Sequence, residues 1–181
     1  TTYFTAPTSQ PTVLTFSSVT CNGMTAGWTA ASGADGVIVL RNSGGTAPST
    51  NPSNGTSYTV GATLGNATVA YVGSGTSVSL SSLSDNTTYN FKIFSYNGSG
   101  SLISYNTSLP LSGSQATSSV AAPTAAAATG ISSTGFTASW NAITCATNYS
   151  LYVFSSVANS IVAAWTFPTP GTSTYCDSSL V

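Results

Sequence analysis

Met24-Thr25-Ala26-Gly27-Trp28 and Phe136-Thr137-Ala138-Ser139-Trp140 are the stretches that decide the fold. In each, large or small apolar residues alternate with Thr, Gly or Ser and the run closes on Trp. That period of two is the pattern of a strand with one face in a core. The two stretches align without a gap back to Pro11-Thr12 and Pro123-Thr124, with Val19 recurring as Ile131 and the turn Asn22-Gly23 as Thr134-Gly135. The chain therefore carries two copies of one module, each opening with two strands joined by a turn and a Trp ending the second strand.

Outward from these stretches the same grammar continues. Turn residues recur at Ser43-Gly44-Gly45, Asn54-Gly55, Gly73-Ser74-Gly75 and Asn97-Gly98, and between them residues 37–40, 69–72, 78–83, 89–96 and 151–154 each fit a strand of ordinary length. No helical period persists. The class is all-β.

Composition excludes several functions. The 181 residues include 2 Lys or Arg, 3 Asp or Glu and no His. General acid-base catalysis and zinc chemistry lack their usual groups, so an enzyme is not expected and no cofactor is implied. Useful affinity for nucleic acid takes about 6 to 10 phosphate contacts, and Arg41 and Lys92 are the two basic side chains available. Apolar stretches such as 160–167 fall far short of the ~20 residues that span a bilayer. The sequence opens at Thr1 with no apolar leader, so it reads as a mature soluble segment without a membrane span. About a third of the residues are Ser or Thr, while 41% are hydrophobic and 10% aromatic. The aromatics predict a folded core rather than a disordered tract. With a net charge of −1, hydroxyls and amides must carry solubility, and self-association is expected.

The two Trp-ending strands, the Pro-Thr starts and the stretch Leu83-Ser84-Asp85-Asn86-Thr87-Thr88-Tyr89-Asn90-Phe91-Lys92-Ile93 together resemble the fibronectin type III family, in the low-charge form found in secreted and surface proteins of bacteria. The last stretch looks like the family's sixth strand, with Leu83 and Tyr89 in the positions of the tyrosine corner. The resemblance implies two immunoglobulin-like β-sandwiches in tandem: an N-terminal strand or arm at 1–6, a first domain at 7–117, a linker at 118–122 and a second domain at 123–181. The segment 42–69 is longer than the family needs. In the second domain the fifth strand, 172–180, aligns Leu180 with Leu83, so strands six and seven are missing and the domain is incomplete. The third strand is then left with an open edge at Tyr149, Leu151 and Val153, and the inner face bearing Phe136, Trp140 and Leu151 is exposed. Thr1, Thr2, Tyr3 and Phe4, which echo the start of the sixth strand, are candidates to fill such an edge on a neighbouring subunit.

Three cysteines, Cys21, Cys145 and Cys176, have neither CxxC spacing nor a His partner. Cys145 and Cys176 fall at opposite ends of paired strands, which disfavours an intradomain bond because the Cα atoms must lie within about 7 Å. Buried free thiols or an intermolecular disulfide remain open. Six Asn-x-Ser/Thr triplets stand at Asn54, Asn66, Asn86, Asn97, Asn106 and Asn148, where about four are expected by chance from this composition. Attached glycans fit the hydroxyl-rich surface, with Asn97 and Asn106 the best-exposed candidates. On the sixth strand Lys92, Phe94 and Tyr96 face away from the sandwich core. They either present aromatics for stacking on sugar or on a neighbouring subunit, or lie beneath the long segment 42–69. Asp35-Gly36 and Asp85-Asn86 read as turn formers rather than calcium ligands.

The function expected is structural: a secreted or cell-surface subunit of a fibre or stalk whose partners are neighbouring copies, assembled head to tail by strand complementation. The alternative is an accessory spacer, or a carbohydrate-binding or adhesion module, of a larger secreted protein.

Overall fold

The computed structural model describes residues 2–132, 135–155, 160–167 and 175–176. The chain forms two compact units, Thr1–Ser119 and Val120–Val181.

In the first unit β1 (Thr12–Ser17), β2 (Met24–Thr29), β3 (Gly36–Ser43), β4 (Thr63–Leu64), β5 (Ala67–Gly73), β6 (Ser77–Leu80), β7 (Thr88–Asn97), β8 (Ser104–Tyr105) and β9 (Leu111–Ala116) build two sheets. One sheet has the order β1-β2-β6. The other runs β4-β5-β3-β7-β8, with β9 also on β7. Met24 and Trp28 from β2, Val37 and Val39 from β3, and Tyr89, Phe91 and Ile93 from β7 form the core between them. This is a β-sandwich, and every pairing is antiparallel. All the strands expected from the alternation are present, but the one read at 78–83 stops at Leu80. Ser82 adopts φ 55° and turns the chain, so that Leu83 drops into the core from outside the strand.

A second core lies on the outer face of the larger sheet. Ile38, Leu40, Val69, Phe94, Ile103 and Tyr105 are buried there, with Tyr58, Ala62, Leu64 and Tyr96 packed around them. The cover comes from the long segment after β3. Its Pro48 and Pro52 are buried, and Gly55 N–H donates to Ile103 O and Gly61 N–H to Val69 O. Residues 44–62, within the long segment 42–69, are therefore a lid rather than an idle insertion, and Phe94, at 0% exposure, lies under it.

The second unit contains β10 (Thr129–Ser132), β11 (Gly135–Ala138), β12 (Tyr149–Ser155), β13 (Ser160–Phe167) and β14 (Tyr175–Cys176). Its pairing of β11 with β14 repeats that of β2 with β6 residue for residue. Thr25 faces Ser79 and Ala26 faces Val78 across β2 and β6; Thr137 faces Cys176 and Ala138 faces Tyr175 across β11 and β14. Likewise β12 pairs with β13 as β3 pairs with β5. Trp140 is buried and its ring lies 6.0 Å from that of Tyr149, also buried. Two expectations fail here. β11 ends at Ala138, so Trp140 sits beyond it in an isolated bridge with Ala125. Ile131, read as the counterpart of half-buried Val19, is 76% exposed. Of the expected fifth strand 172–180, Tyr175 and Cys176 are paired and the rest lies outside the described residues.

Candidate assembly surface

Strand β12 holds three of the residues expected to form an open edge. Among the described residues it pairs with β13 alone, whereas β3, its counterpart, is flanked by both β5 and β7. The inner face of the unit is not laid bare, contrary to the sequence expectation. Trp140 and Tyr149 are buried against each other, and Phe136, Leu151 and Val153 are half-buried. The Tyr149 hydroxyl also accepts the Ile143 N–H at 2.7 Å, which fixes the entry to the strand. Strand alternation instead sends Tyr152 and Phe154 outward, where they are 61% and 58% exposed. Sequence reading missed these two. The signal was the same alternation that placed Leu151 inside, since neighbours in a strand face opposite ways.

The N-terminal residues are not a free arm. Residues 2–11 form no strand; Phe4 N–H donates to Leu102 O and Asn97 Nδ2 to Thr5 O, both at 3.0 Å. The Phe4 ring lies on Gly98, whose φ of +80° and lack of a Cβ make room for it, and Tyr3 lies against Gly55. Tyr3 and Phe4 are thus seated on their own unit, while Thr1 lies outside the described residues.

The six triplets fall into groups. Asn66 donates through Nδ2 to Ala47 O, and Asn97 through Nδ2 to Thr5 O while its Oδ1 accepts Asp35 N–H. These amides tie loops together. Asn54 Oδ1 accepts Tyr105 N–H, and Asn106 Oδ1 accepts Ser108 N–H. Asn97 and Asn106, expected to be the best exposed, are both half-buried, whereas Asn54, Asn66, Asn86 and Asn148 are exposed.

Cys21 and Cys145 are both disulfide-bonded, which removes the free-thiol reading for these two. The side chain of Cys176 lies outside the described residues. Asp35 acts as a turn anchor: its Oδ2 accepts Gly98 N–H at 2.8 Å. Arg41 sits 5.1 Å from the centre of the Tyr89 ring. A cleft of about 880 Å³ runs between Pro7–Val13 and Asn106–Ser112, and its lining carries no titratable side chain. Gln10 staples its floor, donating to Asn106 O and Ser108 O and accepting Ser95 N–H. Among the described residues no three His, Cys, Asp or Glu side chains come together as a metal site, and no helix is long and apolar enough to cross a membrane.

No protein-family model matches the chain, and neither does any curated protein sequence. Solved structures do. A segment of two fibronectin type III domains from chicken tenascin is 16% identical with a TM-score of 0.47, covering 94% of this chain and 84% of that one. A central fibronectin III array of RIM-binding protein is 13% identical with a TM-score of 0.39, covering 92% of this chain and 51% of that one. A computationally redesigned β-sandwich protein is 22% identical with a TM-score of 0.39, covering 61% of this chain and 95% of the other.

Proposed function

We propose that this protein is a non-catalytic structural subunit of an extracellular fibre or cell-surface stalk, in which a strand from a neighbouring copy adds to the edge of β12. The observation that carries this reading is the edge itself. β12 reads Tyr149-Ser150-Leu151-Tyr152-Val153-Phe154-Ser155, with no charge and no Pro to discourage pairing, and β13 is its one partner among the described residues. In the first unit the corresponding edge of β3 is filled by β7 over its whole length. The near-absence of charge, the hydroxyl-rich surface and the bonded cysteines suit a protein exposed outside the cell. Sugar attached at Asn86 or Asn148 belongs to the same reading, since of the four exposed triplets Asn54 and Asn66 already spend their side chains on loop hydrogen bonds. The seated N-terminus leaves the donor strand unassigned to residues 1–6.

Negative-stain electron microscopy across a concentration series tests the proposal. Filaments are expected, and a synthetic peptide of Thr88–Asn97, the strand that fills the equivalent edge in the first unit, should stop their growth. Single particles at every concentration without the peptide would overturn the reading.

A further inference from the structure

We infer that the outer face of the β12–β13 hairpin docks against the same face of a second copy of this chain, an association distinct from strand addition at the β12 edge. The inference rests on the assembly reading for its choice of occupant, while the surface is a different one.

Tyr152, Phe154 and Ile161 are 61%, 58% and 58% exposed. Phe154 lies opposite Ile161 in the ladder and Tyr152 lies opposite Ala164, so the three form one patch on one side of the hairpin. The internal repeat shows how this chain treats that side elsewhere. Tyr152 holds the position of Leu40, which is 0% exposed beneath the lid. In the first unit the connection from β3 to β5 spans residues 44–66 and brings Tyr58 and Ala62 over the sheet. In the second unit four residues, 156–159, join β12 to β13, where the first unit has the twenty-three of 44–66.

The chemistry favours a like partner. Neither Tyr149–Ser155 nor Ser160–Phe167 contains a charged residue, so two copies meet without burying an unpaired ion. The cover in the first unit is likewise an uncharged segment of this chain. Two such faces stack at the usual sheet separation of about 10 Å, with a twofold axis that makes the contact self-complementary. Three side chains of this exposure offer a few hundred Å², well below the ~800 Å² per partner of a stable complex. The contact is therefore weak between two isolated chains and becomes strong through repetition along an array.

Sedimentation of the full chain tests this, with the Thr88–Asn97 peptide present so that edge addition is blocked. A reversible dimer is expected below about 1 mM. Y152T/F154T, which retains β propensity, should weaken it at least tenfold. Ile161→Lys, at an exposed position, should do the same and carries the test should the double variant misfold by circular dichroism. A parent that stays monomeric to about 1 mM, or variants that associate as tightly as the parent, would overturn the inference. So would retention of the parent on an insoluble polysaccharide that Y152T/F154T abolishes without any dimer, since the face would then be a sugar platform. Loss of filaments with the dimer intact would overturn strand addition and leave this face standing.

Discussion

The hydroxyl of Tyr89 accepts the backbone N–H of Ser84 at 2.8 Å. The ring is buried in the inner core, so one side chain joins the packing between the sheets to the turn that enters β7. The same device recurs where Tyr58 accepts Ser53 N–H and Tyr149 accepts Ile143 N–H. Tyr89→Phe should cost about 1–2 kcal/mol, because the ring remains and the Ser84 N–H loses its acceptor. Urea denaturation will check this, and a midpoint unchanged from the parent would mean that water replaces the hydroxyl without cost.

Trp28 and Trp140 are 6% and 7% exposed. Replacing either with Ala should cost about 3–5 kcal/mol, because a large cavity opens in a unit with little to fill it. Calorimetry of each variant should show the loss in the unit that carries the substitution, with the other transition retained. A melting temperature within a degree or two of the parent would place that Trp outside the core.

Phe94→Ala should also cost about 3–5 kcal/mol, since the ring is fully buried between the sheet and the lid. Lys92→Ala, two residues away on the same face and half-exposed, should shift stability by no more than about 0.5 kcal/mol. Equal effects from the two would argue that the lid does not cover Phe94.

Stability should be flat from about pH 5 to 9 and fall above about pH 10. The sequence has no His and three carboxylates, so few groups titrate in the lower range. Tyr105 has its hydroxyl pKa raised well above the ordinary value by burial, with Tyr58 and Tyr96 adding to it, and burial also raises Tyr96, with Tyr71 and Asp35 contributing. A raised folded-state pKa means that the folded chain keeps its proton where the unfolded chain releases it. The stabilisation is complete below the ordinary tyrosine value of 10.0 and is lost as pH rises from there through the folded value. Melting temperatures should nearly coincide at pH 5 and 9 and drop at pH 11. A drop between pH 5 and 8 would reveal a coupled group elsewhere.

Alkylation of the denatured, unreduced protein should leave Cys21 and Cys145 unlabelled, since both are disulfide-bonded. Mass spectrometry after reduction should then find both thiols. Labelling of either before reduction would show that the bond is absent from the protein in solution.

Alternation and turn residues were enough to read the inner core, because Met24, Ala26 and Trp28 or Tyr89, Phe91 and Ile93 need one rule to face one way. The tyrosine corner was legible for the same reason, its two residues lying close in sequence. The lid was legible as excess length, and Phe94 and Tyr96 were placed on the correct face. Whether that face was wet or covered depended on a segment more than thirty residues away in sequence, whose Tyr58 packs on the cluster that holds Phe94. The ordering of the Asn residues failed similarly. Asn97 looks like an exposed turn residue until Thr5 is brought to its amide, and nothing local in the sequence announces that bond. Tyr152 and Phe154 were passed over because their strand was considered for its edge and inner side alone.

Strands β3 and β7 of the first unit have protein on both faces and strands on both sides, with an inner core below and the lid above. Their amides should be the last in the first unit to exchange with heavy water. The lid is held by isolated bonds such as Gly55 N–H to Ile103 O, outside any strand ladder. It can lift while the inner core stays closed, so exchange in this unit should proceed in two tiers, with the lid amides released by a partial opening and those of β3 and β7 by full unfolding.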